Sequence, residues 1–441
     1  MTDREREIIG LVHKEVKPAL GCTEPVAVAL AAANAASLLE SDGVFGAEGR
    51  INADMDIEVE VSGNILKNGM GVGIPGTGMI GLKIAAALGA VCGNAGLGLE
   101  VLKTLTPEGV ENARKAVSDG KVSIRIAENG HKLYVKATIS VAGHSAFTTI
   151  EDEHDLIVGS GIDGRTVVCN EHSEAGCSGK KEDENQSADC GLTVREIYEF
   201  ANTARFEDIE FILDDRKLNL ALAEEGLRGD YGLKVGKTIL HNHKDVFGND
   251  FLTYAMALTA AASDARMAGC TLPAMSNSGS GNQGITVSMP VIAYALKHDV
   301  SDEKLARALI LSNLVAIHIK RYLGRLSALC GCVVASTGSS CGLVWLKGGG
   351  YEQICYAIKN MIGNITGMVC DGAKVGCAMK VASGVSSSIQ SAVLAMDGIC
   401  VCETDGIIDR DIEKTISNLG SIGSSGMEMA DNLIQRIMVH K

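Results

Sequence analysis

Five cysteines fall within 48 residues of the C-terminal part of the chain: Cys330, Cys332, Cys341, Cys370 and Cys377. Thiolates are the usual protein ligands of iron–sulfur clusters. Three such ligands leave one iron free, where it acts as a Lewis acid on a substrate oxygen or sulfur. A buried cysteine also packs as a small apolar residue. From spacing alone, both a metal site and a packed core stay open.

Two glycine-rich segments are the next candidates for chemistry. "GVGIPGTG" (71–78) and "SNSGSGNQG" (276–284) would let backbone N–H groups cradle an anion, although neither has the phosphate-loop pattern. Tight turns between packed helices are the alternative. A pyridoxal phosphate enzyme would need a Schiff-base lysine, and motif spacing marks none. The second segment also has polar side chains suited to the carboxylate and ammonium of an amino acid: Asn277, Ser278, Ser280 and Asn282.

Two further groups of residues raise the question of zinc. "HNH" at 241–243 offers two histidines, but such a pair is more typical of a polar surface turn. The segment 169–191 lacks the paired C-x-x-C spacing of zinc sites and has the composition of a solvated loop. We therefore expect no metal at either place. The candidate ligands in the second segment are Cys169, His172, Cys177 and Cys190.

Composition narrows the class of protein. The 441 residues carry a formal charge of −14 and are 46% hydrophobic, as is common for a globular enzyme. No basic block with interleaved aromatic residues occurs, which argues against a nucleic-acid partner. The apolar runs are shorter or more interrupted than the roughly 20 residues of a membrane span, and the start "MTDREREIIG" lacks an apolar signal region. We expect a cytoplasmic protein with reduced cysteines, compatible with a homodimer.

The hydrophobic periodicity predicts an α+β protein in three parts. Residues 1–120 read as a mixed α/β part with N-terminal helices, including an Ala-rich helix with Thr23 as N-cap. Residues 121–235 alternate with a period of two and predict a strand-rich α/β insert. Residues 236–441 are mostly helical and carry the cysteine-rich region. We expect a loop over 273–291.

Several long motifs resemble the L-cysteine desulfidase family, which is related to the serine dehydratase α chain. The resemblance runs from about residue 7 to 438 and is carried by "EVKPALGCTEPVAVALAAA", "LKNGMGVGIPGTGMIGL", "SDARMAGCTLPAMSNSGSGNQGITVSMPV", "RLSALCG" and "GMVCDGAKVGCAMKVASGV". It implies β-elimination of L-cysteine to hydrogen sulfide, ammonia and pyruvate. It also implies an oxygen-sensitive 4Fe–4S cluster.

The resemblance also assigns roles to individual cysteines. It implies that Cys330, Cys370 and Cys377 are the cluster ligands. More distantly, the iron–sulfur serine dehydratases have a ligand cysteine in a context similar to "GSSCG", so Cys341 is an alternative to Cys330. Cys332 is a further alternative, and relatives can have small residues at both Cys332 and Cys341, which argues against these two as ligands.

The motif "GCTEP" supplies the implied base. Cys22 would remove the α-proton, and its place just before a helix favours the thiolate, although Glu24 opposes this effect. The substrate would enter between the two glycine-rich segments. Besides the polar residues of 276–284, Lys67 and Asn68 are candidates for holding its carboxylate and amine.

Two rival functions remain. An L-serine or L-threonine dehydratase would use the same residues with hydroxide as the leaving group. A non-catalytic amino-acid or redox sensor would keep the cluster and the glycine-rich segments but would need no base.

Overall fold

The computed structural model describes residues 1–45, 49–129, 131–169, 191–241, 246–324 and 327–439. It has the expected α+β class, with a mixed sheet in the N-terminal half and a helical C-terminal half. The helices are α1 (Asp3–Glu15), α2 (Thr23–Ser41), α3 (Gly63–Gly69), α4 (Leu82–Cys92), α5 (Pro107–Ser118), α6 (Val194–Thr203), α7 (Phe206–Ile209), α8 (Asp214–Arg228), α9 (Val235–His241), α10 (Phe251–Met267), α11 (Gly281–Lys297), α12 (Asp302–Leu323), α13 (Gly331–Leu346), α14 (Tyr351–Ile365), α15 (Cys377–Met396), α16 (Ile412–Ser421) and α17 (Glu428–Val439).

The strands form one large sheet and one short pair. The large sheet has the order β3-β2-β4-β5-β6-β7, and all its neighbours are antiparallel except β2 and β3. The short pair, β1 with β8, joins the start of the chain to the segment before α11. The strands are β1 (Pro18–Ala19), β2 (Asp56–Val61), β3 (Val122–Ile126), β4 (Tyr134–Val141), β5 (His144–Glu151), β6 (Ile157–Ile162), β7 (Arg165–Cys169) and β8 (Ala274–Met275).

The first core lies between the sheet and the helices α2 and α4. The strand β2 alternates buried and more exposed residues, as its sequence predicts, and its buried side chains are Ile57, Val59 and Val61. The Ala-rich helix α2 packs on β4, β5 and β6 and on α4. This core extends from Val26 to Ile162 and so crosses the boundary expected at residue 120. The division into three domains stays a prediction.

The second core is helical. It joins α1 to residues between Leu192 and Leu419, with α12 and α13 in close contact at its centre. Small residues allow this contact, since a Cβ atom added at Gly342 would lie 2.1 Å from the Ser312 hydroxyl oxygen. Among the described residues, no helix is long and apolar enough to cross a membrane.

Two local predictions were wrong. The loop expected over 273–291 ends at Ser280, whose hydroxyl caps α11 by accepting the N–H of Gln283 at 3.3 Å. The glycines there serve close packing inside a helix, because a Cβ atom at Gly284 would lie 2.0 Å from the Met275 carbonyl oxygen. The N-cap of α2 is Cys22 rather than Thr23.

Candidate functional site

The thiols of Cys330, Cys370 and Cys377 converge at the ends of two helices. Cys330 is the N-cap of α13 and Cys377 is the first residue of α15. The N–H of Cys330 donates to the Met368 carbonyl at 2.9 Å, and that of Cys370 donates to the Ala328 carbonyl at 2.7 Å. The two chain segments therefore lie side by side, and their thiols face the same region.

Burial and the neighbouring thiols both shift the pKa values of these cysteines. Burial, with a further contribution from the Cys370 and Cys377 thiols, raises the pKa of Cys330 to about 12. Burial also raises the pKa of Cys377, and Cys370 again adds to the rise. Lys374 and Lys380 oppose this effect, because their positive charges favour the Cys377 thiolate.

The two lysines are held by one carboxylate. The Nζ atoms of Lys374 and Lys380 each lie 2.5 Å from an Asp371 carboxylate oxygen, and Lys380 also donates to the Val369 carbonyl at 2.8 Å. Burial alone would raise the pKa of Asp371, but hydrogen bonds and charge from the two lysines lower it. The thiols thus have fixed positive charges beside them.

The donor set suits an iron–sulfur cluster. Three thiols at one place, with lysines that favour the thiolate form, are the ligands that such a cluster prefers. Within the described ranges, no three His, Cys, Asp or Glu side chains are yet close enough to hold a metal ion as they stand. The three residues therefore fit the group by the chemistry of their donor atoms.

The alternative ligands lie elsewhere in the helices. Cys341 is fully buried inside α13, eleven residues or ~16 Å along the axis from Cys330, where it faces Cys355 of α14. Cys332 is closer, but its thiol donates to the Lys380 carbonyl at 3.2 Å and packs on Gly384. These positions favour Cys330 as the third ligand.

Cys22 lies next to this group of thiols. It packs in a small apolar cluster with Val72 and Met267, against which Cys377 also packs. The packing brings the start of α2 against the loop that leads into α15. The residue that the sequence suggested as base and a suggested ligand are thus neighbours in space.

The position of Cys22 before a helix would favour its thiolate form, but the side chains around it favour the neutral thiol. The thiol donates to the Glu24 carboxylate at 3.2 Å, and Asn68 donates to the other Glu24 oxygen at 3.1 Å. Burial raises the pKa of Cys22, the charge of Glu24 raises it further, and Arg266 lowers it. Glu24 is therefore the hydrogen-bond acceptor of the Cys22 thiol.

Sequence analysis missed Arg266. This side chain is only 5% exposed, donates to the Gly21 carbonyl at 2.8 Å and approaches the Asn282 amide oxygen at 3.4 Å. Its Nε atom has no hydrogen-bond partner in the part of the chain that the structure describes. A lone arginine inside the Ala-rich run "AAASDARMAG" was the available signal, because a buried cation requires an anion.

The predicted substrate-binding residues are not all free to bind. Asn277 is fully buried in bonds to Asn313 and Gln283, and Ser280 is the cap of α11. Ser278 donates to the Asn277 amide oxygen at 2.9 Å. Only Asn282 among these four faces the region of Arg266 and Met267.

The other two candidates have partners as well. The ammonium group of Lys67 is buried and paired with Asp431 of α17, and Asn68 is bonded to Glu24. Lys67 and its neighbour Asn68 lie close to the segment between Cys370 and Cys377, since a Cβ atom added at Gly372 would lie 2.2 Å from the Lys67 carbonyl oxygen. Positions 170–190 and 242–245, which contain most of the possible zinc ligands, lie outside the described residues.

The fold and the site together define an α+β protein with a thiol-rich centre at which the N-terminal and C-terminal parts meet. A family model described as "Serine dehydratase alpha chain" matches residues 96–435. The chain belongs to this family. Its members typically use iron–sulfur chemistry, and the membership supports a lyase of the dehydratase type.

Relatives cover the whole chain. A UPF0597 protein from Oleidesulfovibrio alaskensis is 53% identical over 434 residues, which are 98% of this chain and 97% of the relative. Another from Bacteroides fragilis is 47% identical and covers 100% of both chains. A third, from Shewanella pealeana, is 45% identical over 98% of this chain and 97% of its own. The similarity to these relatives thus extends along the full length of the chain.

Proposed function

We propose that the protein is an L-cysteine desulfidase, which eliminates sulfide from L-cysteine and yields pyruvate and ammonia. The observation that carries the proposal is the packing of Cys377 against the small apolar cluster that contains Cys22, beside the neighbouring thiols of Cys330 and Cys370. An elimination needs a base at the α-carbon and an electrophile at the leaving group, a few ångströms apart. Cys22 supplies the base, and the group of three thiols, Cys330, Cys370 and Cys377, marks the position of the electrophile.

The proton path begins at Cys22. Glu24 accepts the thiol hydrogen, and Arg266 stabilises the thiolate that remains. The thiolate removes the α-proton of the bound amino acid. The electron pair of that C–H bond forms the Cα=Cβ double bond, the Cβ–S bond breaks, and sulfide leaves with the bonding pair. The aminoacrylate then tautomerises to an imine, which water hydrolyses to pyruvate and ammonium.

The cofactor belongs at the other end of the substrate. We propose Cys330, Cys370 and Cys377 as the ligands of a 4Fe–4S cluster, which would supply a Lewis acid that stabilises the charge of the leaving sulfide. Lys374 and Lys380 add positive charge beside the thiols. Asn282 and Arg266 face the same region and are suited to the substrate carboxylate.

L-serine dehydratase is the second candidate, favoured by the description of the matching family. The two reactions differ only in the group that leaves, so substrate comparison separates them. Protein purified and iron-loaded without oxygen is given L-cysteine or L-serine, and sulfide and pyruvate are measured. The proposal expects sulfide from L-cysteine at a far higher rate than pyruvate from L-serine. The reverse order would establish the dehydratase.

A sensor is the rival from another class of function. In that case protein shown to hold its cluster would form neither product from either amino acid. The hydrogen bond between Cys22 and Glu24 favours the enzyme, since a binding module has no need of a thiol with a proton acceptor beside it.

A further inference from the structure

Four buried polar side chains form a continuous chain through the helical core. They come from α8, α12, the segment before α11, and α11 itself, and none is more than 2% exposed: Asp215, Asn313, Asn277 and Gln283. The proposed mechanism uses none of them directly. Polar side chains buried this deeply lower stability unless their hydrogen bonds are made.

The hydrogen bonds of this chain all run in one direction. Asn313 Nδ2 donates to Asp215 Oδ2 at 2.9 Å, and Asn277 Nδ2 donates to Asn313 Oδ1 at 2.9 Å. Gln283 Nε2 then donates to Asn277 Oδ1 at 2.8 Å. An ionised carboxylate only accepts hydrogen bonds, so Asp215 fixes the orientation of each amide in turn. Every amide points its carbonyl oxygen away from Asp215.

The chain ends on an oxygen atom without a partner. Gln283 Oε1 is buried and has no hydrogen-bond partner among the described residues. It lies beside the start of α13, since a Cβ atom at Gly331 would be 3.0 Å from it, and Gly331 directly follows Cys330. On the same helical turn, Asn282 faces Arg266. The unpaired acceptor is therefore at the edge of the thiol-rich centre.

We propose that Gln283 Oε1 accepts an N–H from the α-ammonium group of the amino-acid substrate, with Asn277, Asn313 and Asp215 as positioning residues. This inference rests on the proposed function and names the ammonium subsite of that same site. A carbonyl oxygen repels a carboxylate and attracts an ammonium group, and the buried charge of Asp215 favours a cation at the far end of the chain. The subsite makes the protein select α-amino acids over acids that lack the amine.

The test compares two ligands that differ only in the amine and cannot react. L-Alanine and propionate are titrated against the full-length, cluster-loaded protein by ligand-observed NMR at pH 8. This pH lies above the pKa of Asp215, which burial raises to about 7. The wild-type protein should prefer L-alanine. In Gln283→Met that preference should fall by about tenfold, as expected for a lost charge-assisted hydrogen bond, with propionate binding unchanged. An undiminished preference would overturn the inference.

Two further variants separate positioning from general damage. Asp215→Asn keeps the shape but no longer fixes the amide orientations, so it should reduce the preference for L-alanine several-fold. An unchanged preference in Asp215→Asn would overturn the positioning role. Asn360→Leu removes a buried amide of α14 that bonds to Ile399 and Val401. It is the matched control and should leave the preference as in the wild type.

The outcome for the proposed function is independent of this test. A wild-type protein that prefers L-alanine through Gln283 but forms no sulfide or pyruvate would refute the lyase and support the subsite. If the wild-type protein and Gln283→Met turn over L-cysteine with the same KM, the subsite is refuted while the lyase activity stands.

Discussion

At the residue scale, the site depends on side chains whose neighbours come from distant parts of the chain. The sequence could place Cys22 at a helix start, where the dipole favours a thiolate. It could not show that Arg266 also lies beside the thiol, because Arg266 is 245 positions from Gly21 in the chain, the residue before Cys22 to which it donates a hydrogen bond.

The choice of cluster ligands gives a prediction at this scale. After anaerobic reconstitution, wild-type protein should bind about four irons per chain. Cys330→Ser, Cys370→Ser and Cys377→Ser should each lose most of this iron, because each removes one of the three converging thiols. Iron and acid-labile sulfide are measured chemically and by absorbance.

Cys341→Ser is the matched control. Cys341 lies on the same helix as Cys330, α13, but is fully buried eleven residues further along it, so the variant should keep its iron. Loss of iron from Cys341→Ser with retention in Cys330→Ser would reverse the assignment.

At the scale of elements, the sequence predicted the types of most helices and strands and misread one glycine-rich segment. Alternation in β2 and the Ala-rich run of α2 were sufficient signals because each reflects a burial pattern along a single element. The segment 281–291 was predicted as loop because it contains glycines. Glycine also permits close helix packing, and the partner backbone at Gly284 cannot be read from the local sequence.

Close packing of α2 on α4 gives the second prediction. A Cβ atom at Gly89 would lie 2.1 Å from the Ala29 carbonyl oxygen. Gly89→Ala should therefore force the helices apart and reduce the free energy of unfolding by about 1–3 kcal/mol, measured by urea denaturation. Gly10→Ala in α1, where none of the described residues would lie within 4 Å of the added Cβ atom, should instead stabilise the protein by about 0.5–1 kcal/mol. Equal effects of the two changes would contradict this account.

The contact of α12, α16 and α6 gives a pH-dependent prediction. Burial alone would raise the pKa of Glu413, but bonds from His318 Nε2 at 2.6 Å and the Val194 N–H at 2.7 Å lower it overall. A carboxyl group whose pKa is lower in the folded state stabilises the protein above its unfolded pKa, and that stabilisation is lost as the pH falls. Glu413→Gln should therefore destabilise the protein by roughly 1–3 kcal/mol at pH 7 and much less at pH 4.

Denaturation at the two pH values measures this difference. Glu111→Gln, which removes an exposed partner of Arg114, should change stability by less than about 0.5 kcal/mol at either pH. A cost for Glu413→Gln that is the same at pH 4 and pH 7 would show that its charge is not involved.

At the scale of the whole molecule, the C-terminal helix closes against an N-terminal helix beside the site. The C-terminal helix α17 reaches α3 through Lys67–Asp431 and through Gln435, which donates to Asn64. This contact could not be predicted from the sequence, because it joins residues more than 350 positions apart. It explains why Lys67, predicted as a substrate-binding residue, has its charge already neutralised.

Removal of Asp431 tests this closure. Lys67 is 2% exposed in its side chain, so Asp431→Ala leaves a buried charge without its partner and should cost roughly 3 kcal/mol of unfolding free energy. Because the Lys67 backbone touches Gly372, turnover should fall as well. The control Asp3→Asn breaks an exposed ion pair with Arg6 and should cost less than about 0.5 kcal/mol. No difference between the two variants would show that α17 is not needed to hold α3.

The most direct test of the central claim is sulfide release from L-cysteine by wild-type protein and Cys22→Ser, both purified without oxygen and matched in iron content. If Cys22 is the base beside the cluster, the variant should keep its iron and lose at least about a hundredfold in kcat, as expected for removal of a general base. A Cys22→Ser protein that releases sulfide at the wild-type rate would contradict the account.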